Sequence, residues 1–366
     1  MSIESLARPE IVAMKPYSSA RKEAPGRGIL LNANESPWSL LDNPGLENTG
    51  MDDSLNRYPD PQPQELVSRL AMLYDIAEKN VLITRGSDEG IDLLTRVFCR
   101  AGEDAILHCP PTFGMYAIAA QTQGAAIVAV PRLPEDSFRM DETGILDALA
   151  SDARIKLIFL TSPNNPTGDA IDQNFLQELL DLTAERALIV VDEAYAEFCR
   201  HPSATRWIDQ HENLVVLRTL SKAWAAAGLR CGTVLAQPSV IALLRRVIAP
   251  YPLASPVISL ACRMLDPEML GRQQKLLTEV QRNKTRLLLI LQSRPFIRDI
   301  WPGEANFVLL RVDNPDGFLT FCATRGVILR GYPTDPMLKS CIRVSVGSEQ
   351  DLGALESALD AWEVQR

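Results

Sequence analysis

Short runs that are apolar at nearly every position recur through the first two-thirds of the chain, and they constrain the fold more than any other feature. They fall at residues 81–84, 105–108, 126–130, 157–160, 187–192, 214–217 and 232–236. A strand that is apolar throughout, not at alternate positions, is covered on both faces. Several of the segments between these runs carry helical patterning. Leu66, Val67, Leu70 and Leu73 recur on one face of a helix starting near Gln64, and Ile91, Leu94, Val97 and Phe98 do so after Gly86. Pro110–Tyr116 leads into a helix that runs to Gly124, and 175–182 forms another. Buried strands alternating with helices predict an α/β fold, a mostly parallel, doubly wound sheet. Ligands bind such sheets beyond the carboxyl ends of the strands. Gly86, Ser162, Asp192 and Lys222 all stand at or just after such ends.

The pattern changes at Pro250-Tyr251-Pro252. A long helical stretch, 267–293, leads to strands at 307–312, 327–329 and 341–346 and to a terminal helix at 352–364. With 366 residues the chain is long enough for two domains. Residues 30–255 are expected to form the large one, and 256–366 a smaller α/β one with an interdomain helix. Residues 1–29, with one short helix near Ile11, are expected to form an N-terminal arm and part of the smaller domain.

Composition excludes several classes of function. Apolar residues make up 46% and charged residues 23%, as in ordinary soluble proteins. The net charge of −9 opposes non-specific binding to nucleic acid. An anionic substrate must therefore be met by a local arginine cluster. Seven scattered cysteines, no C-x-x-C pair and three histidines give no zinc spacing, so no metal is expected. Reduced thiols suit a cytoplasmic protein. The first residues lack a secretory pattern, and no apolar run approaches the roughly 20 residues of a membrane span.

The chemistry centres on residues 218–232. Lys222 follows a buried strand and is flanked by Thr219, Ser221 and Arg230, and the Ala-rich run after it reads as a short helix ending at Gly228. An amine able to condense with an aldehyde, two hydroxyls and a guanidinium suit a phosphorylated aldehyde. Alone, this stretch is equally well a loop with a solvated lysine. The Gly86-Ser87 turn into a helix presents free N–H groups and a positive dipole end, which suits a phosphate. Many strand-to-helix turns share that composition, so this feature gains weight only beside Lys222.

Three motifs in order sharpen the reading. Ser162-Pro163-Asn164-Asn165-Pro166-Thr167-Gly168 is followed by Asp192-Glu193-Ala194-Tyr195, then by Ser221-Lys222 with Arg230 eight residues on. This series resembles the fold type I aminotransferases that use pyridoxal 5'-phosphate. Finer stretches resemble the histidinol-phosphate aminotransferases among them, including Leu31-Asn32-Ala33-Asn34-Glu35-Ser36-Pro37, Arg57-Tyr58-Pro59 and Ile342-Arg343-Val344-Ser345. The resemblance runs from about Leu30 to Gly347. Trp224, where the family often has Phe or Tyr, and the loop 131–140 depart from it.

The resemblance implies a role for each matching residue. Lys222 is the imine-forming amine and proton shuttle, Asp192 faces the pyridine nitrogen, and Tyr195 and Asn165 donate to the ring's phenolic oxygen. Phe113 stacks on the ring. Gly86, Ser87, Thr219, Ser221 and Arg230 line the phosphate cup, Asp88 is a further cofactor-binding residue, and Tyr58 reaches that phosphate from the partner of a homodimer. Arg343 pairs with a carboxylate, Arg330 adds a second charge for a phosphate, and Tyr17 and Asn34 are further substrate contacts. The Asn165-Pro166 bond is expected to be cis. The implied reaction exchanges an amino group between L-histidinol phosphate and 2-oxoglutarate, giving imidazole-acetol phosphate and L-glutamate, in histidine biosynthesis. Two rivals use the same cofactor, an aromatic or general amino-acid aminotransferase and a threonine-phosphate decarboxylase. A non-catalytic regulator of this fold would carry an appended helix-turn-helix domain, for which no room is expected before Leu30.

Overall fold

The structure, a computed structural model, describes residues 2–16, 34, 36 and 55–365. Tyr17 and most of the segment around Asn34 lie outside the described residues.

The seven apolar runs form one sheet. Its strands are β1 (Val81–Thr84), β2 (Ala105–His108), β3 (Ala126–Ala129), β4 (Ile155–Thr161), β5 (Leu188–Asp192), β6 (Leu214–Thr219) and β7 (Gly232–Ala236), in the order β1-β7-β6-β5-β4-β2-β3. Strands β3, β2, β4, β5 and β6 run parallel, while β7 is antiparallel to both β6 and β1. Strand β5 shows why every position must be apolar. Leu188 and Val190 point into one core, Ile189 and Val191 into the other, and all four are buried. Each such side chain contributes about 1.5–3 kcal/mol relative to exposure.

Helices cover both faces. Ser87–Phe98, Met115–Gln123 and Pro238–Leu244 pack on one side, and Gln64–Leu73, Glu142–Ser151, Gln173–Thr183 and Ser255–Met264 on the other. The helix Gln173–Thr183 starts where the Asp172 carboxylate accepts from the N–H groups of Asn174 and Phe175. The described part of the N-terminal arm joins the first of these layers. Ile3, Leu6, Ala7 and Ile11 are buried with the helices Ser87–Phe98 and Pro238–Leu244, not against the second sheet.

That second sheet is antiparallel, with order β10-β11-β9-β8: β8 (Ile297–Trp301), β9 (Phe307–Val312), β10 (Arg330–Gly331) and β11 (Cys341–Ser345). Helices Pro267–Gln292, Pro315–Thr324 and Glu349–Gln365 share its core. No described helix is long and apolar enough to cross a membrane.

Two local expectations fail. Residues 327–329 are not a strand, and pairing begins only at Arg330. Gly326 sits at φ 78 and Ile328 is 79% exposed, so the segment turns outward before it pairs. The Ala-rich run after Lys222 is not an α-helix either. Ala225 adopts φ 52, Ala226 donates back to the Leu220 carbonyl, and a 3-10 turn, Ala227–Leu229, follows. Burial of Ala223, Trp224 and Ala226 in the core overrides alanine's helix preference here.

Candidate active site

The carboxyl ends of β1, β4, β5 and β6 open on a cleft of about 900 Å³, closed on its far side by β10, β11 and the loop after β10. Asp192 ends β5, Thr219 ends β6 and Thr161 ends β4. The reversed strand β7 starts at the same edge, with Gly232 paired to both Thr84 and Thr219. A Cβ on Gly232 would lie 2.5 Å from the Gly86 carbonyl carbon and 2.6 Å from the Ser87 nitrogen. Glycine there lets the Gly86-Ser87 turn settle onto β7, while Gly86 itself sits at φ 77.

Around that turn lies a cluster of donors. Arg230, in a left-handed conformation at φ 55, donates through Nη1 to the Ser221 hydroxyl (3.4 Å) and the Ala227 carbonyl (3.2 Å). Its Nη2 pairs with Asp88 at 3.0 Å and lies 2.7 Å from where a Gly86 Cβ would stand. The Thr219 and Ser221 hydroxyls are 2.9 Å apart. Ser87 opens the helix Ser87–Phe98, so its backbone offers free N–H groups toward the same cleft.

Asp192 is 2% exposed, and its carboxyl is pushed up to about 6 by burial. Oδ2 accepts from the Tyr116 hydroxyl at 2.7 Å and Oδ1 from the Ala194 N–H at 3.1 Å, contacts that hold the value down. Among the described residues no cationic side chain forms a salt bridge with it. Tyr116 is itself fully buried, stacked on Phe159 with centroids 4.8 Å apart, and Phe113 meets it edge-on at 5.8 Å. Behind the two strand ends, Arg218 is buried between Glu193 (2.8 Å) and Glu197 (2.7 Å), with its guanidinium over Tyr74.

Lys222 stands on the cleft wall, reached by solvent yet partly desolvated by the protein around it. Burial, then the positive charges of Arg343 and Arg230, lower its amine's pKa, while Asp88 and Asp192 oppose them. Its Nζ lies 5.6 Å from the centre of the Tyr195 ring. Tyr195 is buried edge-on against Phe307 of β9, and burial pushes its phenol up to about 12.

The turn at 162–168 carries cis bonds before Pro163 and Pro166, the second as expected. Asn164 is fully buried and donates to the Pro111 carbonyl and the Thr167 hydroxyl, fixing the turn. Its neighbour Asn165 reaches the cleft, where its Oδ1 accepts from Arg343 Nη1 at 2.5 Å. Arg343 lies directly opposite Arg330 in the β10–β11 pair, and both line the cleft.

The structure therefore brings Ser87, Asp88, Phe113, Asn165, Asp192 and Tyr195 to one cavity with Thr219, Ser221, Lys222, Arg230, Arg330 and Arg343. Gly86 underlies it. Tyr58 does not line it; that residue stacks on Tyr251 with centroids 4.5 Å apart beside a separate groove. Asn34 is exposed and is not among the lining residues. Sequence reasoning missed Tyr116, Thr161, Thr112 and Tyr332. Thr112 and Tyr116 lie within a stretch that reads only as a lead into a helix, Thr161 directly precedes the Ser162–Gly168 turn without a role of its own, and no motif marks Tyr332.

These residues fit the phosphorylated pyridine aldehyde that the resemblance implies. A buried carboxylate without a cation suits a protonated ring nitrogen. A glycine cradle, two hydroxyls and a guanidinium suit a phosphate. A lysine whose amine is more easily deprotonated than usual suits condensation with an aldehyde.

Residues 27–360 match the family described as aminotransferase class I and II. The histidinol-phosphate aminotransferase of Cronobacter sakazakii is 40% identical over 359 residues, which cover 98% of this chain and 97% of that protein. A Photorhabdus laumondii protein described as a histidine biosynthesis bifunctional protein is 40% identical over 356 residues, 97% of this chain; the match spans 43% of that longer protein. Among solved structures, the histidinol-phosphate aminotransferase from Clostridium acetobutylicum superposes with a TM-score of 0.78 at 21% identity, covering 86% of this chain and 92% of that one.

Proposed function

Since this chain belongs to the aminotransferase class I and II family, we propose that it is a pyridoxal 5'-phosphate-dependent aminotransferase acting on L-histidinol phosphate and 2-oxoglutarate, to give imidazole-acetol phosphate and L-glutamate in histidine biosynthesis. One observation carries the substrate assignment. Arg330 and Arg343 face each other across a two-residue pairing on the cleft wall. Like charges directly opposite in a sheet are destabilising. A ligand with more charge than one carboxylate offsets that repulsion, and a phosphate does so with more acceptor oxygens. The identity to histidinol-phosphate aminotransferases over almost the whole chain supports the same reading.

When bound, the cofactor supplies an aldehyde to carry the amino group and a ring to accept electrons from the substrate's Cα. The protein's residues do the rest. The Lys222 amine takes the proton from the substrate's Cα, a task favoured by the burial and neighbouring positive charge that lower its pKa. Asp192 holds a proton on the ring nitrogen, with Tyr116 and the Ala194 N–H fixing the carboxylate's orientation. Asn165 and Tyr195 orient the ring's phenolic side, Phe113 covers a face, and the Gly86-Ser87 turn with Thr219, Ser221 and Arg230 holds the phosphate. Asp88 fixes Arg230. Arg343 binds glutamate's α-carboxylate in one half-reaction and the substrate phosphate in the other.

The protein works as a cytoplasmic homodimer in this reading. Tyr58 is 49% exposed and away from the cleft of its own chain, which suits a contact made across a subunit boundary.

Single-turnover kinetics with each substrate test the assignment. Arg330→Ala should slow the histidinol-phosphate half-reaction by about 2–4 kcal/mol in kcat/KM, and the glutamate half-reaction less. Equal damage to both removes Arg330 from the phosphate site. If the unsubstituted protein turns over phenylalanine as fast as histidinol phosphate, the substrate assignment fails.

A further inference from the structure

Tyr332 lies just beyond β10, on the cleft wall formed by the second sheet. Its ring is held among Phe138, Leu309, Leu338 and Cys341, so the side chain has little freedom. The Arg330 guanidinium carbon lies 5.7 Å from the ring centre. The hydroxyl is shielded from solvent and has no hydrogen-bond partner among the described residues. Burial raises the phenol above its ordinary range while Arg343 and Arg330 pull it down, so it is a donor at neutral pH. A second unpartnered buried donor stands on the same wall, the Nε–H of Arg343.

Buried donors without partners are costly, and a ligand entering the cleft beside them can supply the missing acceptor. A carboxylate has two oxygens, and the fork of Arg343 can occupy both. A phosphate has a third oxygen and more charge to share. We propose that Tyr332 is a specificity-determining residue, its hydroxyl donating to the phosphate of the phosphorylated substrate beside Arg330 and Arg343. This rests on the assignment above and adds a neutral donor to the two cationic ones. The selectivity follows from the count of acceptors: the hydroxyl gains a partner from a phosphate and little from a carboxylate already held by Arg343.

Tyr332→Phe keeps the ring and its packing and removes only the hydroxyl. With the cofactor-loaded variant, the KM for histidinol phosphate should rise on the order of tenfold with kcat changed less than about threefold. The glutamate half-reaction should change less than about twofold, and inorganic phosphate should inhibit that half-reaction on the order of tenfold more weakly than in the parent. An unchanged melting temperature would exclude loss of packing. Equal effects on both half-reactions, or unaltered inhibition by phosphate, would overturn the proposal. If the parent itself proves indifferent to histidinol phosphate, the substrate assignment fails, and the inhibition by phosphate still decides the role of Tyr332.

Discussion

Asp192 shows how one residue's environment specifies its partner. Its carboxyl is raised from 3.8 to about 6 by burial, although two hydrogen bonds oppose the shift. The folded, cofactor-free protein therefore binds this proton more tightly than the unfolded chain. The stability contributed by that proton is complete below pH ~4 and is lost as the pH rises from ~4 through 6, by about 3 kcal/mol in all. A protonated ring nitrogen against the carboxylate would reverse the shift. Adding pyridoxal 5'-phosphate should thus raise the melting temperature more at pH 7.5 than at pH 5. Asp192→Asn should remove most of that difference in a calorimetric scan; a variant with the parent's pH dependence would leave Asp192 a structural residue. Asp192 was legible because it ends a run of buried apolar residues. Tyr116, which orients it, was not, because the contact depends on how a helix after β2 packs against β5. A hydroxyl 76 positions away leaves no local pattern.

At the scale of elements, periodicity located the strands of the first sheet but not their directions. Strand β7 reads like its neighbours yet runs opposite to them, and this reversal places Gly232 beneath the Gly86-Ser87 turn. A Cβ on Gly232 meets backbone atoms that cannot swing aside. Gly232→Ala should therefore displace the turn, cost about 1–3 kcal/mol by overpacking, and weaken cofactor binding measured by fluorescence titration. Gly271→Ala is the control, since a Cβ there meets nothing within 4 Å. Equal affinities in the two variants would show that the turn does not shape the phosphate cup. The Ala-rich stretch after Lys222 gives the complementary lesson. Composition favoured a helix, but burying Trp224 required a turn, with Ala225 at φ 52. Propensity is worth tenths of a kcal/mol per residue, and burial of an aromatic ring outweighs it.

The whole molecule depends on how the second sheet is fastened across the cleft, and here the sequence was least informative. Two glycines make one fastening. Gly168, at the end of the turn carrying Asn165, packs so closely on Gly303 that a Cβ on either would meet the other's Cα. The loop 131–140 makes another. Ser137 and Phe138 are both left-handed there, at φ 54 and 61, and Phe138 is fully buried against Trp301, Leu309, Leu338 and Cys341 of the second sheet's side. Buried Arg132 donates to the Phe138 carbonyl at 3.2 Å and pairs with Asp169, next to Gly168. The loop and the glycine contact are thus one joint, and Tyr332 packs into its apolar side. Asp192, Lys222 and Arg230 stand on the first sheet's side of the cleft, apart from this joint. Phe138→Ala should cost about 3–5 kcal/mol in packing, with the loss felt at the wall that carries Arg330, Arg343 and Tyr332. KM should rise for both substrates, and the dissociation constant for the cofactor should stay within about twofold. Substrate titrations monitored by absorbance, alongside a cofactor titration, separate the two effects. Weakened cofactor binding with unaltered KM would mean that Phe138 supports the first sheet and not the joint.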